Sequence, residues 1–222
     1  MKFSKAISLL TAAGSVLASV PVMAAPPPQT WDVSIGFGSA PWSYMQRAGA
    51  GCAGADTPLA FPYTGPTGTN FTGRQGVNTP VIVPLVGKNL AASGTTVYSS
   101  AQIPAGAVWL HPGATGPNSQ CAVVRFNAPM AGTYRIKGLI RSVDVGANRV
   151  NGYIIVNNVK IAGPIALSGP MGTQMPFDQT VTILGMPRTI DFALDDGGSY
   201  YNDSTQLEMT ISRCPPSNTT CP

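Results

Sequence analysis

From residue 107 onward, apolar and polar side chains alternate with the period of two that a β-strand imposes. Ala107-Val108-Trp109-Leu110 is a short apolar strand that ends at the turn His111-Pro112-Gly113. Cys121-Ala122-Val123-Val124-Arg125-Phe126 stops at Ala128-Pro129. After Gly132, residues 133–141 place Tyr134, Ile136, Gly138 and Ile140 on one face. Tyr153-Ile154-Ile155-Val156 meets Asn157-Asn158, a hairpin-type turn, before Val159-Lys160-Ile161. Residues 180–184, 189–194 and 206–212 continue the series, and the last of them turns Leu207, Met209 and Ile211 inward. Short strands at this spacing, with no long amphipathic helix between them, predict an all-β chain. The expected architecture is an antiparallel β-sandwich or jelly roll forming a single domain over residues 31–213.

Upstream the pattern is weaker. Trp31-Asp32-Val33-Ser34-Ile35-Gly36-Phe37 is apolar at every odd position and predicts a strand. Residues 48–80 are dominated by Gly, Pro, Thr and Asn, which predicts a surface loop system with short strands. Val81-Ile82-Val83-Pro84-Leu85-Val86 is apolar and β-branched, but Pro84 makes it an edge strand or a strand end, open to strand addition. At the start, Lys2 and Lys5 precede an apolar run over residues 6–20, followed by Pro21-Val22-Met23-Ala24-Ala25. A basic head, an apolar middle and small residues at the end form a secretory signal peptide, expected at residues 1–24. The run is short for a bilayer span, which needs about 20 apolar residues. Residues 25–30 form a Pro-rich leader, and residues 214–222 a tail closed by a disulfide. The localisation expected is secreted or periplasmic, with no membrane span once the signal is removed.

Composition supports the strand reading. The chain has 25 Gly, 21 Pro and only 10% charged residues, which suits strands joined by tight turns. Its formal charge of +4 includes Lys2 and Lys5, so the exported part is closer to neutral. The densest basic group is Arg135, Lys137 and Arg141. That is too little charge for a nucleic-acid partner, and none is expected.

The export signal also decides the chemistry of the 4 cysteines. An even count in an exported chain reads as disulfides. Three pairings exist, and Cys52–Cys121 with Cys214–Cys221 is preferred because the short loop pins a Pro-rich tail. Chain entropy assigns about 2.5 kcal/mol to the short loop and about 4.4 kcal/mol to the long one. A thiolate metal site would need closer cysteine pairs or a nearby histidine.

Motifs for catalysis are sparse. His111 is the one histidine and sits at a strand exit, where its ring is expected to bond to backbone. Asp191, Asp195, Asp196, Asp203 and Glu208 form the acidic stretch. Asp195-Asp196-Gly197-Gly198 reads first as a turn. Asp195, Asp196 and Asp203 are also the candidate calcium ligands, because calcium takes six to eight oxygens. A secreted hydrolase would use a carboxylate pair from the Asp191–Glu208 region. No other cofactor is expected. Among the aromatics, Trp109 lies in an apolar strand and reads as core. Trp42, Tyr44, Tyr200 and Tyr201 are the candidates for ligand contact, since flat rings stack on the C–H faces of sugars while polar neighbours take the hydroxyls.

Taken in order, Trp42-Ser43-Tyr44, residues 108–113, residues 122–134, Val156-Asn157-Asn158, Ile190-Asp191-Phe192-Ala193 and Tyr201-Asn202-Asp203-Ser204-Thr205 carry a likeness. The chain resembles a group of secreted bacterial jelly-roll domains found in exosortase-sorted extracellular proteins, a group similar in fold to carbohydrate-binding modules. The resemblance spans most of the mature chain and implies a fold more than an activity. It lacks the Pro-Glu-Pro tail and terminal helix of the sorted members, so free export is expected over surface anchoring. The expectation is a non-enzymatic exported protein that binds glycan or extracellular matrix through loop aromatics, with a polysaccharide or cell-surface polymer as partner. A structural or adhesive surface protein and a secreted hydrolase are the alternatives.

Overall fold

The alternating segments pair into antiparallel ladders. The structure is a computed structural model. It describes residues 29–66, 68–76, 84–113, 120–146, 148–199, 201–215 and 221. The expected signal peptide, residues 25–28 of the leader and Tyr200 lie outside the described residues. In chain order the strands are β1 (Thr30–Asp32), β2 (Trp42–Ala48), β3 (Asp56–Pro58), β4 (Phe61–Tyr63), β5 (Phe71–Gln75), β6 (Leu85–Asn89), β7 (Thr95–Val97) and β8 (Ala101–Ile103). The second half adds β9 (Val108–His111), β10 (Gln120–Asn127), β11 (Gly132–Ser142), β12 (Asn148–Val156), β13 (Val159–Gly169), β14 (Gln174–Ile183), β15 (Thr189–Asp195) and β16 (Thr205–Arg213).

Two sheets face each other. The first runs β14-β11-β16-β9-β6-β5-β4, with β1 also paired to β16. The second runs β13-β12-β15-β10-β2-β3. Their facing surfaces enclose the main core, which includes Phe126, Ile154 and Phe192 from the second sheet and Tyr134, Ile136 and Ile211 from the first. Register places Ile136 opposite Ile211 and Phe126 between Trp42 and Ile190. Burying each of these large side chains contributes about 1.5–3 kcal/mol. The Tyr134 hydroxyl donates to the carbonyl of Met130 at 2.7 Å, which ties the β10–β11 connection to the strand it feeds. Asn157 and Asn158 both adopt positive φ (49° and 66°), the backbone that a two-residue hairpin turn requires.

Both outer faces carry smaller cores. The β7–β8 hairpin accompanies a cluster of Tyr63, Phe71, Leu85, Val97, Ile103 and Trp109 on the outside of the first sheet. On the outside of the second, Val123, Tyr153, Ile155 and Ala193 pack with the Cys52–Cys121 disulfide. The other disulfide joins Cys214 to Cys221.

Two local expectations change. Only Trp31 and Asp32 of the segment at 31–37 are in a strand, β1; the chain then turns through residues 33–38. The Asp32 carboxylate accepts the amides of Ser34 at 2.7 Å and Ile35 at 3.1 Å, and this local bonding displaces a ladder. Leu85 and Val86 do not form an edge. They lie in β6, paired with β5 on one side and β9 on the other, so this part of the 81–86 segment offers no free backbone for strand addition. Pro84 precedes the strand and costs it no ladder bond, while residues 81–83 lie outside the described residues.

Candidate functional site

Where β2 and β3 of one sheet approach β4 and β5 of the other, the sandwich leaves a cleft of about 590 Å³. Phe37, Trp42, Tyr44, Leu59 and Tyr63 supply its apolar lining, and Ser43, Thr64, Thr72 and Arg74 its polar groups. The turn after Asp32 builds one wall. It brings Phe37 into a stack on Tyr44 with ring centroids 4.6 Å apart. The Gly38 amide donates to the Tyr44 hydroxyl at 2.7 Å, which fixes the ring's direction. Burial, the larger effect, raises Tyr44 to about 12 against the opposing Gly38 bond, so the phenol stays neutral at physiological pH. Gly36 lies over the indole of Trp42: a Cβ there would sit 2.6 Å from Nε1, so the turn needs glycine for close approach.

Arg74 stands apart in this lining. On β5 the side chains of Phe71 and Gln75 are buried while Thr72 and Arg74 are exposed. Phe71 belongs to the outer core, whereas Arg74 sits opposite Val86 of the main core. Arg74 therefore leaves the inner face of its sheet, at the mouth of the sandwich. Among the described residues, its guanidinium has no ion pair. Among the described lining residues it is the one that carries a formal charge.

The three candidate aromatics among the described residues do not share a surface. Trp42 and Tyr44 both line the cleft, but Trp42 is only 6% exposed and its ring meets Phe126 edge-on at 5.2 Å. Tyr201 is exposed in the loop between β15 and β16. Trp42 pairs with Phe126, and Phe126 with Ile190 near the start of β15, so the loop after β15 lies at the opposite end of the strands.

That opposite end holds the acidic residues. Asp144, Asp195, Asp196 and Asp203 are all buried. Asp195 accepts the amides of Gly51 and Gly197, each at 2.6 Å. Asp144 accepts the Ser100 hydroxyl and the Ser204 amide, each at 2.7 Å. Among the described residues, Asp196 Oδ2 and Asp203 Oδ2 are buried with no hydrogen-bond partner. Burial raises Asp196, and it raises Asp203 to about 8, with the neighbouring Asp196, Asp144 and Asp195 adding to the effect on Asp203. The two free oxygens suit a cation. The three calcium candidates, however, do not form a set whose oxygens all lie within 4.8 Å of one another. Among the described residues that spacing is met by Cys52, Cys121 and Asp195, whose sulfurs are spent in a disulfide. His111 Nδ1 lies 2.8 Å from the Pro112 carbonyl, and burial lowers its pKa.

Asp191 and Glu208 are not a carboxylate pair. Asp191 lies on the outside of the second sheet, where it accepts Arg125 at 2.7 Å and Arg47 at 3.3 Å. Glu208 lies on the outside of the first, exposed beside Arg141 and Gln206. Asp56 completes the first of these groups by binding both Arg47 and Arg125. Burial would raise Asp56, but the bonds from the two guanidiniums outweigh it and hold the carboxyl below its ordinary value. For Asp191 the deeper burial wins, and its pKa is raised despite both arginines. Sequence reading missed this network. Its trace is a lone charge inside each of two apolar runs, Arg125 and Asp191, which turn out to be register partners.

No family model and no curated protein matches the chain. Solved structures show partial likeness. An isomalto-dextranase of Arthrobacter globiformis T6, complexed with panose, has a TM-score of 0.32 at 14% identity, covering 84% of this chain and 32% of the enzyme. An arabinose-bound α-L-arabinofuranosidase gives 0.36 at 13% identity, covering 79% and 27%. A carbohydrate-binding module, CBM36, in complex with calcium and xylotriose gives 0.26 at 12% identity, covering 55% and 89%. The chain thus spans about a third or less of the two enzymes. At these TM-scores the likeness carries no functional weight, which falls on the cleft's own chemistry.

Proposed function

We propose that this is an exported, non-enzymatic glycan-binding sandwich, formed by residues 31–213 after removal of residues 1–24, whose cleft takes a polysaccharide. The observation that carries the reading is the cleft itself, where the half-buried rings of Phe37 and Tyr44 stand beside Thr64 and Thr72. Aromatic rings offer apolar faces to sugar rings, and hydroxyls and amides answer the sugar's own hydroxyls. The volume falls in the range of about 300–1,000 Å³ typical of ligand sites. The non-enzymatic part of the proposal is motivated by the lining, whose described residues include hydroxyls but no carboxylate pair of the kind that glycoside hydrolysis uses. Calcium belongs to the same proposal as a stabilising ion. It would use the free oxygens of Asp196 and Asp203 together with main-chain oxygens, at the end of the sandwich away from the cleft.

The test is retention on polysaccharides in affinity electrophoresis. Tyr44→Ala is expected to weaken binding about tenfold, close to 1.4 kcal/mol, with circular dichroism confirming the fold. A protein retained by no glycan would overturn the reading. Mass spectrometry of the exported protein should find a chain that begins at Ala25.

The adhesive alternative moves to other strands. β13 and β14 are sheet edges, and Val159, Ile161 and Met175 on them are exposed. Concentration-dependent dimerisation in light scattering, abolished by a proline within β14, would favour it over the cleft.

A further inference from the structure

We propose that the cleft selects an acidic polysaccharide, one whose sugars carry carboxylates, and that Arg74 is the group that reads the charge. This rests on the glycan-binding reading of the same cleft. A neutral glycan is served by aromatic faces and hydroxyls alone. This cleft adds a guanidinium, placed on the inner face of a sheet at a register position opposite Val86. The placement is unusual for a solvating charge. Cations that serve only solubility project from outer faces, as Lys137 does on β11, whose inward residues are Tyr134, Ile136 and Ile140.

The surrounding charge favours an anion. Among the described residues, no carboxylate pairs with Arg74. Asp56 lies two residues before the lining residue Pro58, but its carboxylate is held by Arg47 and Arg125. Asp32, beside the wall built by Phe37, spends its Oδ1 on the amides of Ser34 and Ile35 and the Ser34 hydroxyl. A second cation, Lys88, follows on the adjacent strand opposite Thr72 and donates to the Ser34 carbonyl at 2.6 Å. The cleft therefore presents an unpaired positive charge between low-dielectric walls, a setting that concentrates field on an incoming anion. The planar guanidinium fork can hold a carboxylate through two parallel bonds, while the half-buried ring of Tyr44, with Phe37 stacked on it, meets the sugar that carries it.

The experiment compares the affinity of the exported protein for polygalacturonate, dextran sulfate, dextran and xylan at about 50 mM salt, near a Debye length of 14 Å. Polygalacturonate is expected to bind at least tenfold more tightly than either neutral polymer. Arg74→Gln should abolish that preference and leave the weaker neutral binding in place, whereas Tyr44→Ala should weaken both. Lys137→Gln, an exposed cation on the outer face, should change nothing. Equal binding of acidic and neutral polymers overturns the proposal and leaves glycan binding standing. So does a preference that survives Arg74→Gln, or one lost equally in Lys137→Gln. Tighter binding of dextran sulfate than of polygalacturonate overturns the carboxylate assignment in favour of a sulfate ester. Retention by none of the four removes the charge selection together with the glycan reading on which it rests.

Discussion

Two groups of buried and half-buried carboxylates sit in this sandwich, and they differ in what answers their charge. Asp56 and Asp191 lie among two guanidiniums, Arg47 and Arg125, with Asn158 completing the bonds. Asp144, Asp195, Asp196 and Asp203 are met by neutral donors: the Ser100 hydroxyl and the amides of Gly51, Gly197, Gly198 and Ser204 for the first three, and the Arg149 amide for Asp203. The first group is a near-balanced set of ions spanning β2, β3, β10 and β15. The second is a crowd of like charges, with two oxygens left unbonded. Removing a charge should therefore have opposite signs in the two places, because a balanced network loses a partner while a crowded one loses repulsion.

The largest effect is expected from breaking the balanced group. Asp191→Ala would leave Arg47 and Arg125 sharing Asp56 alone, and should cost about 3–5 kcal/mol. In thermal unfolding that is roughly 6–20 °C for a chain of this size. A change within 2 °C would mean that the network contributes little.

Next comes the covalent tie that serves the crowded group. The Cys52–Cys121 disulfide anchors the segment that carries the Gly51 amide to Asp195. Replacing both cysteines by serine should cost about 2–4 kcal/mol in urea unfolding. A loss much smaller than that would show that the loop holds its place without the crosslink.

Asp203→Asn should stabilise, and the pH dependence gives the sign. The folded carboxyl keeps its proton up to about 8, whereas the unfolded one releases it near 3.9. Its contribution is thus complete below the unfolded value and is lost as pH rises through the folded one. Asparagine is neutral throughout. The variant and the parent should melt alike near pH 4, and the variant should melt several degrees higher at pH 8.5. Equal melting temperatures at both ends would refute the crowding.

The smallest effect is that of calcium. At pH 8.5 the ion should raise the melting temperature of the parent by a few degrees over EDTA and leave Asp203→Asn unmoved. A shift of equal size in both proteins would place the ion elsewhere.

Much of the sheet order was readable because strand faces repeat every two residues. Residues 133–141 and 206–212 alternate cleanly, and they pair as β11 and β16. The pattern failed where a local bond competes with it. Trp31 to Phe37 alternates as well as any strand, yet Asp32 captures the amides of Ser34 and Ile35 and makes a turn. It failed again where partners come from afar. Pro84 marks the entry to β6, but only the arrival of β5 and β9 on both sides makes that strand interior. The candidate site was half legible. Trp42 and Tyr44 could be chosen as aromatics two residues apart. Their separation from Tyr201, and the burial of Trp42 beneath Gly36 and against Phe126, depend on the packing of distant strands. Arg74 gave no signal of its own, since a single cation in a Gly- and Thr-rich stretch is ordinary until its strand turns it inward.

The residues by themselves determined the strand periodicity, the turn at Asn157-Asn158 and a cysteine set suited to two disulfides. Each of these is a local property of backbone sterics, side-chain alternation or composition. The tertiary structure alone decided which charges are answered and which cleft opens. Arg125 and Asp191 meet only when β10 and β15 pair. Arg74 faces a cleft only because β5 and β2 belong to opposing sheets. Electrostatics and concave surface depend on distances through space, and sequence spacing carries no measure of those.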